Sequence, residues 1–404
     1  MSTTRRTFCT GTAALLLTPE HLLSQSAPPS PRATSRPDVA AIDHDRILAA
    51  ADKALTQPIA PLTTLPCPHS PGTPHDYYSE ADDSWPDDSD PKAAWTQRPG
   101  KPNPKAFLAH RDALLAMAMA VPALTAAFVL TKDERYAKQA TAHLRAWFIA
   151  PATSMTPNLA NASVIPPAKS GRPEGVLEAV HLAEVAVSIP FLATSESLAQ
   201  EDVDALTTWF TSYHDWLTTS RLAGLARDRK NHDASSWLLQ ATACARLNTK
   251  DDRPLTQLRQ QFKSSTIRAQ ITSDGNFPHE LTTPNPYRNS LFNLDMLAGV
   301  CELITTRFET VWDSDLQDGP GMRSVVARMY PFLADRGTWP YKADAEYFTA
   351  LPWRPPSLLF AARAYMRPEY AELWRKLPAD PRIPELQRFF PIRQPLLWVT
   401  RPRP

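Results

Sequence analysis

Residues 111–148 read RDALLAMAMAVPALTAAFVLTKDERYAKQATAHLRAWF, and this stretch sets the fold class. Arg111 to Leu130 is apolar and rich in alanine, a strong helix former. From Asp133 to Phe148 the pattern continues, with Tyr136, Ala140, His143, Leu144 and Trp147 at helical spacing. This begins a series of paired helices with prolonged connections. Downstream, helix follows helix: Glu174–Pro190, Asp202–Leu222, Ser235–Leu247, Pro254–Ile271, Ser290–Thr305, Arg323–Ala334 and Pro355–Met366. In Ser235–Leu247, Trp237, Ala241, Cys244 and Ala245 share a face; in Ser290–Thr305, Leu291, Leu294, Ala298 and Cys301 form a stripe with Leu297 beside it. Upstream, a shorter helix fits Asp43–Leu55. No alternating strand pattern of useful length appears, and no fixed-period repeat. The expectation is an all-α protein, an (α/α) toroid or incomplete barrel of helical hairpins, inferred from the number of helices.

The chain has 404 residues, 43% hydrophobic and 21% charged, with a net charge of +1. This is the composition of a globular protein. The near-zero charge argues against a general nucleic-acid binder but leaves room for a local basic cleft. Proline is abundant (41) and glycine scarce (11), with many prolines between the helical segments. Residues 1–27 read as a twin-arginine type signal peptide: Arg5-Arg6, an apolar run from Ala13 to Leu17, then small residues from Ser24 to Ala27. A periplasmic or secreted protein follows, with no membrane association after signal removal, since no later stretch reads as long and charge-free enough to span. Residues 28–57 form a leader and first helix, and residues 58–404 the toroid domain. Of four cysteines, Cys9 lies in the signal, Cys244 and Cys301 sit on apolar faces as buried thiols, and Cys67 completes an odd set without CxxC.

The chemistry falls in loops. Residues 58–104 form a long irregular segment containing His75-Asp76-Tyr77-Tyr78-Ser79, where paired tyrosines suit sugar faces. Lys230-Asn231-His232-Asp233 precedes a helix that Asp233 or Ser235 can cap, placing Asn231 and His232 at its positive end, a place for a substrate carboxylate. His279-Glu280-Leu281 and Tyr287-Arg288-Asn289-Ser290 gather imidazole, carboxylate, phenol and guanidinium within a short span. Asn158 and Arg172 lie between the first and second clusters, and the Arg172 guanidinium suits two-pronged carboxylate binding. Each cluster also has a purely structural reading as a helix cap, a pinned loop or a solvated charge. The acidic residues Asp82, Asp83, Asp87, Asp88 and Asp90 lack calcium-loop spacing and read as a solvated turn; His69 and His75 lack zinc spacing, so no metal is expected.

Taken in order, several stretches resemble the alginate-lyase superfamily of bacterial polysaccharide lyases. They are HDYYS at 75–79, Trp85-Pro86-Asp87, Asn103-Pro104, MTPNL at 155–159, Gly171-Arg172, Asn231-His232, GNFPHEL at 275–281, SLFNLD at 290–295 and Trp339-Pro340. The resemblance implies an α/α toroid that cleaves uronic-acid polysaccharides, such as alginate or glucuronan, by β-elimination without a cofactor. It implies an acidic polysaccharide as partner, and the chain is read as a monomer. Carried over, Asn231 holds the substrate carboxylate and His232 neutralises it or acts as base. After the Glu280-Leu281 pair, relatives show an arginine and, six residues later, a tyrosine; here those positions are Thr283 and Asn289. Tyr287 is therefore the candidate phenol, with His75, Tyr77, Tyr78, Asn158, Arg172, His279, Glu280, Arg288 and Asn289 as substrate-binding candidates. Two other readings stand beside the lyase: a glycan-binding protein that has lost catalysis, and a glycoside hydrolase, which needs two facing carboxylates and has only Glu280 as a candidate.

Overall fold

The computed structural model describes residues 34–402 except 88, 91, 92, 99 and 315–318; the proposed signal peptide lies outside the described residues. The helix α1 (Val39–Leu55) begins where the Asp38 carboxylate accepts the Ala41 N–H. It packs on α2 (Ala109–Thr131), so the first helix belongs to the same compact unit as the rest of the described chain. The helices α2 and α3 (Glu134–Leu144) form where the sequence places them and pack as a hairpin; α3 ends in a wide π turn, Arg145–Ile149. Then come α4 (Leu182–Leu192), α5 (Gln200–Thr219), α6 (Arg221–Arg227), α7 (His232–Leu247) and α8 (Arg253–Gln261). Short α9 (Ile267–Gln270) and α10 (Pro278–Leu281) lead to α11 (Pro286–Ile304). The helices α12 (Met322–Ala334), α13 (Pro356–Tyr365), α14 (Pro368–Lys376) and α15 (Pro395–Val399) complete the series.

The helices α2, α4, α7, α11 and α13 are successive neighbours, and they carry the buried residues nearly all round. The others back them: α1 and α3 on α2, α5 and α8 on α7, α12 beside α11 and α13, and α14 on α13. This is the inner and outer layering of an α/α toroid. A helix apolar on every side must be covered on every side, which is why the inner set is also the most hydrophobic. Two segments, Ala109–Thr131 and Pro173–Leu192, are in fact long and apolar enough to cross a membrane by length and composition, contrary to the sequence expectation. Both are mostly buried in the fold, as core helices are.

Two small ladders supplement the helices. Strand β1 (Tyr78–Glu80) pairs in parallel with β4 (Asn161–Val164), and β2 (Ser84–Trp85) pairs antiparallel with β3 (Thr96–Gln97). The β1–β4 pair ties the long first loop to the segment after α3. Cys67, Cys244 and Cys301 are free thiols, the last two buried as expected.

Candidate functional site

The site is assembled at the start of α7. Asn231, rather than Asp233 or Ser235, is the N-cap: its side-chain oxygen accepts the Asp233 N–H at 3.2 Å. The next N–H, of His232, is already taken by Glu280 Oε1 at 2.6 Å. The positive end of α7 is thus satisfied from within, and its first amides are not open to a substrate carboxylate.

Glu280 does more than cap. Its Oε2 stands 2.9 Å from His232 Nδ1. A carboxylate only accepts, so the imidazole carries its proton on Nδ1 and leaves Nε2 without one in the neutral form. Glu280 is 0% exposed and also accepts from Asn293 Nδ2 at 3.3 Å, behind which Gln270 and Ser235 continue the hydrogen bonding. The segment reaches this place through Gly275, whose φ of +81° is left-handed and whose Cβ, if present, would lie 2.5 Å from the Ser324 carbonyl oxygen. Glu280 is therefore the buried partner that positions His232, not the open substrate-binding side chain that the sequence suggested. Burial lowers the His232 pKa, but the Glu280 hydrogen bond and charge, helped by Asp233, outweigh this and hold it above the ordinary histidine value.

On its other side His232 is followed by Asp233, which pairs with Arg229 at 2.6 Å; Arg229 pairs with Glu174 at 2.6 Å. Arg172 lies 3.9 Å from Glu174 and donates to the Ser163 carbonyl at 2.8 Å and hydroxyl at 2.9 Å. Ser163 N–H donates to Ser79 Oγ, and Ser79 and Tyr77 both donate to Glu178, at 2.6 and 2.7 Å. One polar chain thus joins the first loop to the second cluster. It also corrects two expectations. Tyr77 is buried and bonded to Glu178; Tyr78 is buried with its hydroxyl 3.3 Å from Glu80. Neither offers a ring face to a sugar. Tyr77 and Tyr78 instead pack with His110 and Phe107.

The third cluster divides. Tyr287 is 0% exposed, its hydroxyl donates to the Phe332 carbonyl at 3.0 Å, and its ring meets Trp339 and Phe348 edge-on. It is a core residue, and burial pushes its pKa upward. This corrects its assignment as proton carrier. Successive helical residues turn by about 100°, so residues 287 and 289 face nearly opposite ways. Asn289 faces Thr283: its amide donates to Thr283 Oγ1 at 3.1 Å, and Thr283 in turn donates to the Glu280 carbonyl at 2.7 Å. These two positions, where the sequence resemblance implies an arginine and a tyrosine, are here bonded to each other.

Arg288 stays near the chemistry. It is 8% exposed, its guanidinium lies 4.0 Å from the Phe389 ring centre, and its buried Nε has no hydrogen-bond partner among the described residues. Burial lowers its pKa, and its charge in turn disfavours protonation of His232, which places the two groups within electrostatic reach. Arg388 stacks on the same Phe389 ring at 4.8 Å and bonds Asp82 at 2.6 Å, where Arg111 also bonds at 2.9 Å. Asp82 is thus a paired rim residue, not part of a solvated turn. Sequence reading also missed Asp344, whose two oxygens accept the N–H groups of Tyr287 at 2.7 Å and Arg288 at 2.9 Å. His279 is exposed. His75 Nδ1 is held by the Ser154 carbonyl at 2.7 Å, and the Asn158 side chain accepts the Ala160 N–H at 3.0 Å; both brace their loops. Among the described residues no three His, Cys, Asp or Glu side chains gather as a metal site.

Residues 66–339 match the family model described as alginate lyase, which is well over half of the chain. The chain belongs to the alginate lyase family. Among solved structures, an alginate lyase from Bacteroides ovatus aligns with a TM-score of 0.77 at 24% identity, covering 88% of this chain and 94% of that one. A variant of alginate lyase A1-III complexed with a tetrasaccharide aligns with a TM-score of 0.54 at 15% identity, covering 95% of this chain and 99% of that one. Alginate lyase A1-III from Sphingomonas species A1 gives 0.50 at 14%, covering 85% and 92%. At these identities the likeness is one of fold, and it agrees with the toroid. No curated protein sequence matches the chain. Asn231 and His232, which the sequence resemblance implies for the site, stand at the start of α7.

Proposed function

We propose that this family member is a polysaccharide lyase acting on a uronic-acid polymer such as alginate or glucuronan. The observation that carries the reading is His232: an imidazole fixed by a buried carboxylate, its Nε2 unprotonated in the neutral form and 3.7 Å from Asp233 Oδ1, within electrostatic reach of Arg288. In this scheme Arg288 and the Asn231 amide hold the uronate carboxylate. Neutralising it acidifies the adjacent C5–H. The Nε2 of His232 takes that proton, the electron pair forms the C4–C5 double bond, and the C4–O bond breaks. The leaving oxygen then needs a proton. The glycoside hydrolase alternative loses its support, because Glu280, its one candidate carboxylate, is buried against His232.

A second reading is favoured by one observation. The Asn289–Thr283 hydrogen bond occupies both positions where the family carries its arginine and tyrosine, as in a glycan binder that has lost catalysis. The protein is further proposed to act outside the cytoplasm, where a polymer too large to enter is found, after loss of residues 1–27. Incubation with alginate blocks, glucuronan and hyaluronan, followed by ultraviolet absorbance of unsaturated ends, tests the lyase reading. A rise that disappears in His232→Ala is expected. Saturable binding without any rise would establish the glycan binder instead.

A further inference from the structure

Four tyrosines lie around the start of α11 and the first loop with their hydroxyls committed: Tyr77 to Glu178, Tyr78 to Glu80, Tyr287 to the Phe332 carbonyl and Tyr341 to Asn276. A fifth is different. Tyr347 is 37% exposed, and its hydroxyl has no hydrogen-bond partner among the described residues. Its backbone φ is +59°, a left-handed conformation that a bulky side chain adopts only when the surrounding structure enforces it.

The enforcement is visible. The Asp344 carboxylate takes the first two N–H groups it meets on α11, those of Tyr287 and Arg288. The Ala345 N–H donates to the Pro284 carbonyl at 2.9 Å, and the Glu346 N–H to Asn285 Oδ1 at 3.1 Å. Glu346 Oε2 stands 3.9 Å from Arg288, and Phe348 meets the Tyr287 ring. Residues 344–348 are stapled along the start of α11, and the polar side chain among them left without a hydrogen bond or ion pair to the described residues is the phenol. The Arg288 charge reaches both Tyr347 and His232.

We propose that Tyr347 is the catalytic acid, delivering from a stapled loop the phenol that the helix lacks at Asn289. The inference rests on the lyase reading above. When the C4–O bond breaks, the Tyr347 hydroxyl gives its proton to the leaving oxygen. His232 is left as imidazolium and Tyr347 as phenolate, and solvent returns the protons to their starting places.

The test compares wild type, Tyr347→Phe and, as a control outside the site, Tyr341→Phe. Product absorbance, oligouronate affinity and thermal melting are measured for each. Phenylalanine removes a hydroxyl that bonds nothing, so the melting point should hold. Turnover should fall on the order of 10²–10⁴-fold in Tyr347→Phe, with affinity within about twofold, and Tyr341→Phe should keep its turnover. Turnover in Tyr347→Phe close to wild type overturns the assignment and leaves the lyase standing. Equal losses of affinity and turnover also overturn it, since they mark a binding role. No product from wild type on any polymer removes the lyase reading itself, and this inference with it.

Discussion

Replacing Glu280 by glutamine tests the site at its pivot. The carboxylate makes three hydrogen bonds in a fully buried position, two of them to His232. A glutamine there can still accept the His232 N–H with its oxygen, but it turns an NH₂ toward Nδ1. The imidazole must then accept at Nδ1 and carry its proton on Nε2, the wrong tautomer for a base. One charge-assisted bond is lost, worth about 1.5–3 kcal/mol of stability. Turnover should drop on the order of 10²–10⁴-fold, as when an orienting carboxylate is neutralised beside a catalytic histidine. Because Glu280 raises the His232 pKa, the pair stabilises the fold most fully below the ordinary histidine value of 6.5, and that contribution fades as pH climbs through the raised value. The stability gap between wild type and Glu280→Gln should therefore narrow with rising pH, while wild-type turnover rises over the same window as Nε2 becomes free. Urea melts and product absorbance across pH measure both. A variant with wild-type turnover and an unmoved pH profile would refute the orienting role.

Three further outcomes follow from the geometry. Tyr287→Phe should leave turnover intact while leaving the Phe332 carbonyl unpaired, at about 1–3 kcal/mol in a urea melt. Arg288→Ala should raise KM for a polyuronate by about 10–150-fold, the value of one charged hydrogen bond, and weaken the salt dependence of binding. Asp344→Ala should cost about 1–2 kcal/mol, as loss of a helix cap does, and should lower turnover as well if the stapled loop is needed.

The toroid was legible because its helices carry a period of 3.6 and prolines separate them. Where α7 and α11 begin, the sequence misled by a few residues, since Asn231 caps α7 and a distant aspartate, Asp344, caps α11. Asn231 and His232 stood out because both are polar residues at a helix start. Tyr287 was misplaced by phase: two positions along a helix are enough to turn a side chain from cleft to core. Tyr77 and Tyr78 were misread because a three-residue strand gives no usable alternation, and both neighbours are buried once β1 pairs with β4. Asp344, Tyr347 and Arg388 left no local signal at all. Each matters through a partner 56 or more residues away, or through a backbone conformation that no tyrosine announces.

The bond from Arg388 to Asp82 spans 306 residues. During synthesis the chain emerges from its first residue onward, so almost the whole polypeptide must leave the ribosome before that latch can close. Helical hairpins can form early, but the rim that holds the two stacked guanidiniums closes late. A protein trimmed to residues 66–339 would keep His232 and Glu280 and lack the Asp344 cap, the Tyr347 loop and Arg388. Such a fragment would carry the family's signature without the loop and ion pairs that complete the proposed site.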